Sequence, residues 1–172
     1  MELGYFTMPM HPPGSNLTET LHDDLDQIVY LDTLGFREAW IGEHFTAEWE
    51  NISAPDQFIA MALGMTKDIV LGTGVSCLPN HNPFVLAHRI AQLDHLARGR
   101  FIWGVGSGGF PGDLDVFGYD SNPLRLSNNE INELIDRPYL LGNANSVHSR
   151  FIQYNIGFKF FSRKGLFPKL FN

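Results

Sequence analysis

The sequence is short of cysteine, of basic residues and of long apolar runs. Its one cysteine, Cys77, has no partner for an internal disulfide, which points to a reducing compartment. No stretch approaches the roughly 18 uninterrupted apolar residues of a membrane-spanning helix. The opening MELGYFTMPM also lacks the basic start and long apolar core of a signal peptide. The expectation is a soluble, cytoplasmic protein with no membrane partner. Twelve Lys and Arg against nineteen acids leave a net charge of −7, which argues against nucleic acid as principal partner. Also missing are a Ser/His/Asp elbow, a phosphate loop ending in Lys-Ser/Thr and a paired Cys-x-x-Cys. These absences leave a small molecule as the expected ligand.

What is present suffices for one domain: 172 residues, 44% of them hydrophobic. The charge is unevenly spread. Residues 1–142 hold all nineteen acids and seven Lys or Arg, a net of −12, whereas residues 143–172 hold five Lys or Arg, no acid and six of the fourteen Phe.

Short apolar runs alternate with helical patterns. Leu3–Met8 reads as a strand, and the helix after it starts on Asn16, with Glu19 three residues on. Leu17, Leu21, Leu25, Ile28 and Leu31 form its apolar face, and Gly35 stops it. Glu38–His44 is a second strand, followed by a helix led by Pro55 that carries Phe58, Ile59, Ala62 and Leu63. Ile69–Val75 is the most strand-like run; its helix places Leu86, Ile90, Leu93 and Ala97 on one face, with Arg98 in the last turn and Gly99 as the stop. Arg100–Gly106 is a fourth strand. Strand starts at about 3, 38, 69 and 100 recur every 31 to 35 residues, the length of a strand, a helix and two loops in a right-handed crossover. That cadence predicts parallel strands, in an open doubly wound sheet or in half of a (β/α)₈ barrel, which when complete needs about 250 residues.

Several motifs carry alternative meanings. Gly104-Val-Gly-Ser-Gly-Gly109 spells a dinucleotide fingerprint, but Phe110-Pro-Gly-Asp113 follows and breaks any helix at its start, so a loop closely approached by a ligand is the better reading. Gly72 and Gly74 signal a close backbone approach, either to a ligand or to a neighbouring side chain. Glu43-His44 closes the second strand, where barrels place catalytic groups. His44 is therefore a candidate acid/base, the alternative being a loop histidine bonded to a carbonyl. His81 falls on the same end, where His44, His81 and a carboxylate are a conceivable zinc set that no ligand spacing supports. No metal site is assigned. His88 and His95 are read as solvated, and Cys77 as a small core residue.

As a set, Leu3-Gly-Tyr-Phe6, Glu38-Ala-Trp-Ile-Gly-Glu-His44, Leu71-Gly-Thr-Gly-Val75, Leu78-Pro-Asn-His-Asn-Pro-Phe84 and Leu93-Asp-His-Leu-Ala-Arg-Gly-Arg-Phe101 resemble the bacterial-luciferase-like, flavin-dependent monooxygenases. The limonene-monooxygenase-like branch is nearest in tone. The resemblance covers about residues 1–120. It implies a (β/α)₈ barrel binding reduced FMN from a separate flavin reductase, with O2 as co-substrate and a small organic molecule as substrate. It also implies that His44 is the active-site acid/base, and that Gly74-Val75 stands where the family often has a non-prolyl cis peptide beneath the flavin. Phe6, Gly74, Val75, Gly106 and Ser107 are the implied cofactor contacts. Phe45 stands where luciferase has a second histidine, and Gly106 where it has a reactive cysteine.

The fold expected is therefore α/β, the N-terminal half of a (β/α)₈ barrel with about four βα units over residues 1–120. An atypical, irregular tail is expected over 121–172, with a short helix around Leu126–Ile135. Its composition resembles reading out of frame, and the chain reads as a truncated copy of a monooxygenase. The alternative is a non-catalytic flavin-binding half barrel that closes its edges as a homodimer, or an inactive fragment.

Overall fold

The computed structural model describes residues 2–118 and the strand Arg150–Tyr154. The elements are β1 (Gly4–Thr7), α1 (Leu17–Thr33), β2 (Glu38–Ile41), α2 (Pro55–Met65), β3 (Val70–Thr73), β4 (Ser76–Cys77), α3 (Pro83–Ala97), β5 (Phe101–Gly106), α4 (Pro111–Phe117) and β6 (Arg150–Tyr154). The expected helix near Leu126 lies outside the described residues.

All strand pairings are parallel. β1 pairs with β2 and β2 with β3, while β3 and β4 both pair with β5, whose other edge takes β6. The expected single strand Ile69–Val75 is split. Gly72 stands opposite Ile102 and Ser76 opposite Val105, so this side of the ladder is one residue longer, and the cis peptide Gly74–Val75 lies in the extra length. β6 lies where the sequence offered no alternation to suggest a strand; its pairing with β5 over Ile102–Gly106 is a non-local contact that local pattern does not encode.

Local chemistry explains the helices. The Asn16 side chain accepts from the Thr18 N–H at the start of α1, and that of Asn82 accepts from Val85 at the start of α3. α2, α3 and α4 each begin on a proline, whose missing N–H would have no helical partner there. That corrects the expectation at Phe110-Pro-Gly-Asp113: Pro111 opens a short helix instead of preventing one. α3 ends one residue earlier than a glycine stop implies, with Arg98 itself left-handed at φ 52° before Gly99.

The core lies between the sheet and α1–α3. Leu25, Ile28 and Leu31 of α1, Ile59, Ala62 and Leu63 of α2, and Leu86, Ile90, Leu93 and Ala97 of α3 pack on Ala39, Ile41, Leu71, Phe101 and Val105. Leu17, assigned by periodicity to the α1 face, is exposed, at the first residue of the helix. Among the described residues no helix is long and apolar enough to cross a membrane.

Candidate functional site

The loops that follow the strands gather at their C-terminal ends, and two carboxylate–imidazole pairs form there. Glu43 and His44, adjacent in sequence, go to different partners. Glu43 is buried; its Oε1 lies 2.8 Å from His81 Nε2 and accepts from the Cys77 N–H at 3.3 Å. Burial pushes its carboxyl up, against the opposing pull of His81 and the Cys77 amide. This pair ties the end of β2 to β4 and the 3₁₀ turn Leu78–Asn80. Cys77 is buried, and its thiol is pushed up to about 12 first by burial and then by Glu43 and Asp113, which disfavours the thiolate a nucleophile needs.

His44 is half-buried. Its Nδ1 lies 3.3 Å from Asp113 Oδ2, its Nε2 3.6 Å from Glu50, and its ring 5.0 Å from that of Phe110. Asp113, in the first turn of α4, also accepts at Oδ1 from the Phe45 N–H, the Thr46 N–H and the Thr46 hydroxyl at 3.1, 2.8 and 2.8 Å. Burial opposes its charge, but the bonds from Thr46, His44 and Phe45 outweigh it and hold the carboxyl below its ordinary range. An ionised Asp113 only accepts, so His44 donates from Nδ1 and leaves Nε2 facing Glu50. At 3.6 Å, Glu50 is beyond a hydrogen bond but remains the carboxylate nearest Nε2. His44 and His81 thus serve different carboxylates, and no group of three or more metal-ligating side chains occurs among the described residues.

The other sequence-derived candidates form an apolar shelf. Phe6, 57% exposed on the edge strand β1, leans over Gly74: a Cβ there would come within 2.9 Å of its ring and 3.2 Å of Trp40. Gly72 lies under the Trp40 ring, 2.6 Å from where its Cβ would sit, so close approach of a side chain explains this glycine. The half-buried Val75 fills the space above Gly106, its Cγ2 2.6 Å from that glycine's Cβ position. Phe6, Gly74, Val75 and Gly106 are thereby linked across three strand ends. Ser107 is set apart, its hydroxyl donating to the Gly108 carbonyl at 3.3 Å.

Sequence reasoning missed Asp113 and Glu50. Reading Pro111 as the first residue of a helix would have placed Asp113 in its opening turn, beside the strand ends. Glu50 had no local signal.

Parallel βα units with a carboxylate-flanked histidine and an apolar shelf at the strand C-termini define part of a (β/α)₈ barrel. Residues 1–164 match the profile of the luciferase-like monooxygenases, and the chain belongs to that family. It is 44% identical over 137 residues to 4-hydroxyprotoasukamycin monooxygenase of Streptomyces nodosus subsp. asukaensis, covering 80% of this chain and 37% of the relative. It is 39% identical to limonene 1,2-monooxygenase of Rhodococcus erythropolis, covering 80% and 35%. A solved structure of the oxygenating constituent of 3,6-diketocamphane monooxygenase from Pseudomonas putida, in complex with FMN, superposes with a TM-score of 0.71 at 29% identity, covering 78% of this chain and 37% of that one. The chain thus spans little more than a third of these relatives, and its fold is part of their barrel.

Proposed function

We propose that this chain carries the flavin-facing part of a monooxygenase that uses reduced FMN and O2 to oxygenate a small organic substrate, with the FMN delivered by a separate flavin reductase. Bound there, reduced FMN supplies the electrons that activate dioxygen. The observation that carries this reading is His44, held at Nδ1 by Asp113 on the loop after β2, at the same strand C-terminal end where Phe6, Gly74, Val75 and Gly106 come together. The shelf is apolar, as the face of an aromatic ring system requires, and suits the flavin ring. Phosphate is another matter. Lys and Arg of residues 2–118 are Arg37, Lys67, Arg89, Arg98 and Arg100, which precede strands or lie on α3, so none of them follows a strand end. The described residues therefore fit the ring and not the phosphate, which barrels hold with loops of their later strands.

In this mechanism Asp113 orients the imidazole, Glu50 lies beside its Nε2, and Nε2 gives or takes the proton at the reacting oxygen. Phe110 shields one side of the ring from water. A homodimer is part of the proposal, formed through the apolar side chains that α2 and α3 expose.

The test is titration of the purified chain with FMN, followed by fluorescence, and then oxygen uptake with NADH and an added flavin reductase. Binding and uptake together are expected, with His44→Ala lowering uptake by about 10² to 10⁴-fold. Binding without uptake would favour a non-catalytic flavin carrier, and no binding by folded protein would sink both.

A further inference from the structure

His11 lies outside the shelf and the His44 cluster, yet it is 3% exposed and fully bonded. It sits in the loop after β1. Its Nε2 lies 2.8 Å from Asp24 Oδ2 on α1, and its Nδ1 lies 2.6 Å from Asn51 Oδ1 in the loop after β2. Its backbone N–H donates to the Trp49 carbonyl at 2.7 Å. Trp49 and Asn51 flank Glu50, the residue whose carboxylate approaches His44 Nε2 at 3.6 Å. One buried histidine, anchored to a helix, therefore grips the chain on both sides of that carboxylate.

The rest of the loop is held at other points. Phe45 and Thr46 are bonded to Asp113, and the His44 N–H donates to the Ile52 carbonyl at 3.1 Å. Within the loop, Asn51 Nδ2 donates to the Glu48 carbonyl at a long 3.5 Å, but none of these contacts ties residues 49–51 to the rest of the fold. A loop tip held only at its ends would let the Glu50 side chain swing into solvent, since its contact with His44 is longer than a hydrogen bond and supplies little restraint of its own.

We infer that His11 is a positioning residue: its side chain, anchored on Asp24, holds Asn51 and so fixes Glu50 against His44, while the bond from its backbone N–H to Trp49 would survive His11→Leu. The role rests on the monooxygenase reading only in what it does for turnover; the grip itself needs no flavin. Its test is accordingly made on the flavin-free chain, by following the His44 Cε1–H signal in NMR spectra at fixed pH. Glu50→Gln is expected to shift that signal. His11→Leu should shift it in the same direction and by a comparable amount, and the double variant should shift it no further. Should His11→Leu fail to fold, Asn51→Ala, which removes the same grip from the loop side, is expected to reproduce the Glu50→Gln shift. A folded His11→Leu or Asn51→Ala chain whose His44 signal stays at the unsubstituted position would overturn the proposal, as would a Glu50→Gln chain in which nothing moves. In the reductase-coupled assay His11→Leu should lower kcat with KM for substrate unchanged. Loss of turnover without the NMR shift would mean that His11 acts elsewhere, which also overturns the grip.

Discussion

Asp113 and Asp94 are both buried carboxylates, and their neighbours drive them in opposite directions. Asp113 has four donors and is held low. Asp94, on α3, has an Oδ1 with no hydrogen-bond partner; burial pushes it up to about 6, with His95 pulling weakly the other way. Because its folded value lies above the ordinary 3.8, the folded chain keeps a proton that the unfolded chain releases. Stability therefore falls as pH rises through the window from about 4 to about 6. Asp94→Asn should raise the urea-unfolding free energy at pH 7 by about 2 to 3 kcal/mol and change it little at pH 4. Equal changes at both values would show that the charge is not what costs stability. Residue types and strand position picked out His44 in the sequence. Its electrostatic setting was not legible, because Asp113 lies 69 positions away and Glu50 arrives through a loop held by His11.

Elements were legible wherever chemistry is local. Asn16, Pro55, Leu86, Ile90, Leu93 and Ala97 set starts and faces by spacing alone. Pro111 shows the limit, since the same residue ends a helix that precedes it and begins one that follows it. Connections between elements were not legible. Asp32, near the end of α1, accepts from the backbone N–H groups of Lys67, Asp68 and Ile69 at 2.8, 3.0 and 2.7 Å, and so locks the turn between α2 and β3 to α1. Burial opposes its charge, but those three bonds prevail and hold the carboxyl low. Asp32→Ala should cost about 1 to 3 kcal/mol in urea unfolding, since water reaches part of the turn and repays some of the lost bonds. A cost within experimental error would mean that the turn is set by its own backbone.

For the whole molecule, α2 and α3 together expose Met61, Met65, Phe84, Val85 and Leu96, the last 64% exposed. A second copy covering them would give a particle of twice 19.4 kDa by light scattering, and Leu96→Glu should return it to the single mass. A single mass for the unsubstituted chain at tens of micromolar would remove the homodimer from the proposal. The order and periodicity of residues 3–106 determined the parallel βα plan, most helix faces and the end of the sheet where chemistry would gather, because strand and helix periods and caps are short-range properties. Only the tertiary structure decided that Glu43 and His44 part to different partners, that the third strand breaks at Gly74–Val75, that Trp40 takes up the space left by Gly72, and that Arg150–Tyr154 joins the sheet. Each of those depends on which distant groups share a small volume, and sequence spacing does not contain that distance.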